Sequence, residues 1–202
     1  MRAELAARVS IGITLIEELQ LERGRARVDL ALVGKELEAF ELKSDFDNFA
    51  RMHNQIHAYN RVFDKITLVT GGAHALAATA VVPSWWGIVR IERSADGSLR
   101  SHVVRAATSH DRQEPLSLAM LLWRDEAAEV LDTKVGHHSP KRATRPQLQI
   151  QLAQTLDFST LREVVAAALA QRDVSLKVRQ RPSQDDDSLH RAANCLDFHF
   201  QL

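Results

Sequence analysis

From residue 11 to about 21 the apolar positions recur at every second residue: Ile11, Ile13, Leu15, then Leu19 and Leu21. Successive side chains of a strand point to opposite faces, so this period predicts a β-strand, with Glu17 and Glu18 near its middle. The Ala-rich stretch 2–9 before it predicts a short helix carrying Glu4. Residues 22–25 turn the chain into a second strand over 27–33, rich in branched apolar residues. Gly34-Lys35 is a two-residue turn signal, and 37–43 is the return strand of a β-hairpin. Ser44 and Asp45, residue types that accept orphan backbone N–H bonds at helix starts, open a helix over 46–61. Phe49, Met52, Ile56 and Tyr59 give that helix an apolar stripe with three-to-four spacing. The run 65–70 reads as a buried strand, closed by Gly71-Gly72.

The second half changes character. A helix is predicted over 73–80, and Pro83-Ser84 breaks the chain before a strand over 85–91. Ala95-Asp96-Gly97 turns that strand into a hairpin with 99–106. Pro115 opens one continuous helix that runs to Leu131, followed by amphipathic segments over 146–156 and 159–171. Beyond Arg172 the sequence turns polar and is expected to be flexible. The pattern divides the chain into an α/β core, 1–110, a helical C-terminal extension, 111–172, and a polar tail, 173–202.

Composition narrows the classes. The 202 residues are 45% hydrophobic and 26% charged, an ordinary balance for a chain that can bury a good core. Lys plus Arg and Asp plus Glu both number 26, so nucleic-acid binding, if present, rests on a local basic groove rather than on global charge. The single cysteine, Cys195, excludes an intramolecular disulfide and a multi-cysteine zinc site, which fits a cytoplasmic setting. No run of about 18 apolar residues predicts a membrane span, and the N-terminal residues lack the apolar core of a signal peptide.

Candidate chemistry gathers on the first hairpin. Glu41 and Lys43 point to one face of their strand and Leu42 to the other, while Asp29 lies on the neighbouring strand. Two carboxylates on adjacent strands suit a hard divalent cation such as Mg²⁺, which takes one or two carboxylates with waters and substrate phosphate. Such an ion activates water and stabilises the charge that develops in phosphodiester cleavage. Lys43 can orient that water or neutralise the phosphate.

An aspartate on one strand followed by Glu-X-Lys on the next resembles the PD-(D/E)XK nuclease motif. The predicted order of helix, three strands, helix and strand is that of its core. A series of blocks is similar to a family of small bacterial PD-(D/E)XK-like proteins, mostly of unknown function. These are L-I-E-E-L with G-R-A-R-V-D-L-A-L-V, then F-E-L-K-S-D-F-D, Y-N-R-V-F-D-K-I-T-L-V-T, V-P-S-W-W-G-I and L-L-W-R-D-E-A. The likeness spans about residues 14 to 170. It implies an α/β, restriction-endonuclease-like αβββαβ core, a mixed central sheet flanked by helices, with a C-terminal helical extension. It also implies a cytoplasmic Mg²⁺- or Mn²⁺-dependent nuclease acting on DNA in bacterial mobile-element or defence biology. Asp29 and Glu41 would ligate the metal, with the Leu42 backbone carbonyl as a further ligand, and Lys43 would position the water. Glu18, in I-E-E-L, fits the accessory metal ligand better than Glu4 or Glu17. Gln55 and Tyr59, four residues apart on one helix face, resemble the Q-x-x-x-Y element of RecB-type members and would support the site or the substrate. A homodimer, or a partner protein that delivers the substrate, fits the same picture. The competing expectation is a non-catalytic nucleic-acid-binding or protein-interaction module on a nuclease-like scaffold.

Other residues have plainer readings. Asp45 and Asp47 suit helix capping better than metal binding. Trp85-Trp86 suits packing better than base stacking. His137-His138 and Asp185-Asp186-Asp187 suit solvated segments. The basic stretch of Lys134, Lys141, Arg142 and Arg145 suits either a phosphate grip or a solvated linker.

Overall fold

The computed structural model describes residues 13–45, 47, 49–50, 52–72, 74–136 and 142–180, with side chains as far as residue 172. Six strands form one sheet in sequence order: β1 (Thr14–Leu21), β2 (Ala26–Val33), β3 (Leu37–Lys43), β4 (Lys65–Gly71), β5 (Gly87–Arg93) and β6 (Leu99–Arg105). β1, β2 and β3 run antiparallel to one another, β3, β4 and β5 run parallel, and β6 returns antiparallel to β5. Parallel neighbours need a crossover, and helices α1 (Met52–Asn60) and α2 (Ala75–Val81) supply the two that are required. The result is a mixed sheet flanked by helices, as the resemblance implies.

The C-terminal helices are α3 (Pro115–Ala119), α4 (Arg124–Val130), α5 (Arg145–Thr155) and α6 (Phe158–Gln180). Each of these helices sends buried side chains into one cluster. Met52 and Tyr59 of α1, Ala78 of α2, Leu118 of α3, Ala127 of α4, Leu152 of α5, and Val165 and Leu169 of α6 meet Val28, Leu37, Leu68 and Ile88 of the sheet. The helical extension therefore shares its core with the sheet. Leu30, Leu32, Phe40, Leu42, Val69 and Ile91 form a second cluster on the opposite face. Asp64 ties the layers together: its carboxylate accepts the Leu37 N–H at 2.7 Å and pairs with Arg162 at 2.9 Å.

Several expectations change. The period of two in β1 does not keep one face: Leu15 belongs to the second cluster, whereas Leu19 and Leu21 belong to the first. The switch falls at Glu18, whose φ of 55° is left-handed, a conformation that costs a side chain roughly 1–2 kcal/mol. The facing strand switches at the same step, since Val28 lies in the first cluster and Leu30 in the second. The helix expected from residue 46 begins at Met52, because Asp47 folds back to accept the Ser44 N–H and hydroxyl at 2.8 and 2.9 Å and closes a turn. Trp85 and Trp86 precede β5 instead of opening it.

The continuous helix expected over 115–131 is broken at Met120 to Trp123. The carbonyls freed by the break are taken by side chains from distant helices. Arg145 donates to the Leu122 and Met120 carbonyls, Gln149 to the Leu122 carbonyl at 2.9 Å, and Arg172 to the Leu121 carbonyl at 2.8 Å. Glu126 accepts the Trp123 N–H at 2.7 Å and starts the next helix. Arg145 thereby acts as a structural clamp. At the far end, α6 continues through Gln180, past the boundary expected at residue 172. The helix expected over 2–9, Glu4, Phe46, His137, His138, Lys141, Asp185 to Asp187 and Cys195 lie outside the described residues.

Candidate functional site

The ladder between β2 and β3 runs from Val33–Leu37 to Leu30–Phe40 and then ends. One step beyond, the Asp29 carboxylate takes the place of a backbone acceptor and receives the Leu42 N–H at 2.7 Å. The N–H and C=O of one strand residue point the same way, so the Leu42 carbonyl also faces the Asp29 side of β3. Glu41 and Lys43 project from the opposite face to Leu42, towards α1, as the strand period requires.

Glu41 is 1% exposed, and a buried carboxylate is tolerable only when it is hydrogen-bonded. Three donors converge on it. Lys43 Nζ and Gln55 Nε2 each reach Oε1 at 2.6 Å, and the Tyr59 hydroxyl reaches Oε2 at 2.6 Å. The four-residue spacing of Gln55 and Tyr59 places both on the face of α1 that looks down on β3. The Tyr59 hydroxyl also lies 2.5 Å from the Arg27 carbonyl, so its one proton is shared between two acceptors on adjacent strands. Burial, and then the negative charge of Glu41, push the Tyr59 phenol far above its usual range and keep that proton in place. The ring is stacked on Trp86 at 6.0 Å with 7° between planes, and the Trp86 indole N–H donates to Asn60 at 2.8 Å. Trp86 thus packs behind the site, in line with the packing role expected of it.

The structure brings Asp29, Glu41, Leu42, Lys43, Gln55 and Tyr59 together. Glu18 lies opposite Asp29 in the β1–β2 ladder, between the Glu17–Leu30 and Leu19–Val28 pairs, but its carboxylate is paired with Arg27, 2.6 Å away, with both side chains about half exposed. Glu17 faces Leu30 across the β1–β2 ladder. Asp45 packs its carboxylate on Gly71, where a Cβ would stand 2.2–2.4 Å from it, so a larger residue there would push the Asp45 carboxylate aside. Its carbonyl meets the His74 ring at 2.8 Å, and Phe49 makes an edge contact with the same ring.

One residue of this region escaped the sequence reading. Thr70 on β4 is the register partner of Lys43, is 0% exposed, and its Oγ1 has no hydrogen-bond partner. The signal was present in the strand, because Ile66, Leu68 and Thr70 alternate onto the helix-covered face and the last of them is polar.

Among the described residues, no three His, Cys, Asp or Glu side chains form a group that could hold a metal ion. Asp29 and Glu41 are two carboxylates, and Mg²⁺ commonly takes only one or two from the protein. The donor chemistry therefore fits a hard divalent cation, at Oε2 beside the single Tyr59 donor or at Oε1 once one of its two donors moves aside.

A family model described as bacteriophage P4 protein cII matches residues 5–190, which takes in the sheet and the helical layer alike. The chain belongs to that family. Protein cII of Enterobacteria phage P4 is 27% identical over 159 residues, covering 79% of this chain. The chain spans 59% of that relative's length. Among solved structures, the SPO1766 protein of unknown function from Silicibacter pomeroyi is similar at 21% identity and a TM-score of 0.40. That likeness covers 65% of this chain and 91% of the other. No described helix of this cII-family chain is long and apolar enough to cross a membrane.

Proposed function

We propose that this cII-family chain is a divalent-metal-dependent nuclease that hydrolyses phosphodiester bonds in DNA. The observation that carries the reading is the meeting of Asp29, Glu41 and Lys43 at the end of the β2–β3 ladder, under Gln55 and Tyr59 of α1. The restriction-endonuclease-like core belongs to the same proposal, supported by an acid-acid-lysine set on consecutive strands followed by a helix and a parallel strand. A phage relative supports a mobile-element setting.

Bound Mg²⁺ or Mn²⁺ would supply Lewis acidity and a water of lowered pKa. Asp29, Glu41 and the Leu42 carbonyl would hold it. Lys43 would neutralise the scissile phosphate or orient the attacking water, and Tyr59 and Gln55 would keep the Glu41 carboxylate in one orientation. Glu18 has no part in this set as the side chains stand.

A second reading has an observation of its own. Both oxygens of Glu41 are engaged by Lys43, Gln55 and Tyr59, an arrangement that also suits a non-catalytic nucleic-acid-binding or protein-interaction module. Cleavage of a mixed panel of single- and double-stranded DNA and RNA, with Mg²⁺, Mn²⁺ or EDTA, separates the two. The nuclease reading expects cutting that EDTA abolishes. Binding of nucleic acid without cutting under any metal selects the module.

A further inference from the structure

Lys43 Nζ and a metal ion cannot share Glu41 Oε1. Each carboxylate oxygen has two lone-pair sites, and both at Oε1 are already taken, by Lys43 and Gln55. Like charges a few ångströms apart repel strongly in a site shielded from water. Lys43 is the donor able to leave, because its stem is flexible whereas Tyr59 is held by the stack on Trp86. The Lys43 side chain is only 15% exposed, so a displaced ammonium needs an acceptor within the protein.

Two buried acceptors beside it stand without partners: Thr70 Oγ1 and Gln55 Oε1. Thr70 is the better placed, as the Cα partner of Lys43 in the parallel ladder and on the same face. Neighbouring strands lie about 4.8 Å apart, within the swing of a lysine, and the β-branched side chain of Thr70 is stiff. A buried hydroxyl without a partner is a cost to the protein as it stands, which calls for an explanation. We propose that Thr70 is a positioning residue, the second seat of Lys43: the ammonium passes from Glu41 to the Thr70 hydroxyl when a divalent cation takes the carboxylate. This rests on the nuclease reading of the site and names how the same lysine can both guard the empty carboxylate and serve the loaded one.

The test is calorimetric titration of the full chain with Mn²⁺ or Ca²⁺ alone, without nucleic acid, on wild type, Thr70→Val and Thr70→Ser. Thr70→Val is expected to weaken cation binding about tenfold, the equivalent of one hydrogen bond to a charged group. It should melt no lower than wild type without the cation, since a buried hydroxyl lacking a partner is removed. Thr70→Ser should bind within about twofold of wild type, because it keeps the hydroxyl. The Lys43 side-chain resonances should move on cation addition in wild type and Thr70→Ser. Cation binding equal to wild type in Thr70→Val, or a lowered melting temperature with unchanged binding, overturns the role of Thr70 and leaves the nuclease reading standing if Glu41→Gln still abolishes binding. A wild type that binds neither cation overturns both.

Discussion

The central residue is Glu41, and its environment makes predictions about its neighbours. The chain contains one tyrosine, so an ultraviolet titration reads Tyr59 alone. Its folded pKa is raised by burial and by the Glu41 charge, above the ordinary value of 10.0. The stability this group contributes is therefore fully present below pH 10 and is lost as pH rises above it, because the unfolded chain ionises first. Phenolate absorbance should not appear at about pH 10–11 while the protein stays folded, and should rise together with unfolding. Tyr59→Phe leaves the Glu41 and Arg27 acceptors short of a donor and is expected to cost about 1–3 kcal/mol by urea denaturation. The residues that meet here were legible because local spacing carries them: two apart on a strand for Glu41 and Lys43, four apart on a helix for Gln55 and Tyr59. Thr70 was legible only as a polar residue on the buried face of its strand; its place beside Lys43 depends on the β3–β4 register, which no local pattern contains.

At the scale of elements, the strands and helices of the first half follow their periods, and the departures have long-range causes. Alternation in β1 looks unbroken from Leu15 to Leu21, yet the left-handed Glu18 switches its face. Glycine adopts that conformation without a steric cost, and the exposed ion pair to Arg27 contributes little. Glu18→Gly should therefore leave stability unchanged or raise it by up to about 1 kcal/mol. Its affinity for a divalent cation should match wild type, and a loss of affinity would restore Glu18 to the metal site. The break between α3 and α4 was equally hidden, because L-S-L-A-M-L-L-W has the composition of a helix. What ends it is the capture of three carbonyls by Arg145, Gln149 and Arg172. Gln149 is 0% exposed, and Gln149→Ala is expected to lower stability by about 1–3 kcal/mol in urea, with the helix content of the folded protein kept.

At the scale of the whole molecule, the sequence suggests an α/β core ending near residue 110 and a separate helical extension. The structure joins them, because Leu118, Leu122, Leu152, Leu161 and Val165 complete the cluster begun by Val28, Leu37 and Leu68. A chain cut after residue 110 would expose that face of the sheet and is expected not to fold, with no cooperative melting by circular dichroism. The same layer anchors the chain just past α1, where Arg61 pairs with Glu114 and the Arg61 carbonyl accepts the Glu114 N–H at 2.8 Å. In the proposed nuclease, Asp29, Glu41 and Lys43 act as one set. The direct test runs wild type, Glu41→Gln and Lys43→Ala side by side for Mn²⁺ binding and for cleavage of single- and double-stranded DNA. Wild type is expected to cut in a metal-dependent way, Glu41→Gln to lose both binding and cutting, and Lys43→Ala to keep binding with cutting reduced at least about 100-fold. Cutting that persists unchanged in both variants would contradict the proposal.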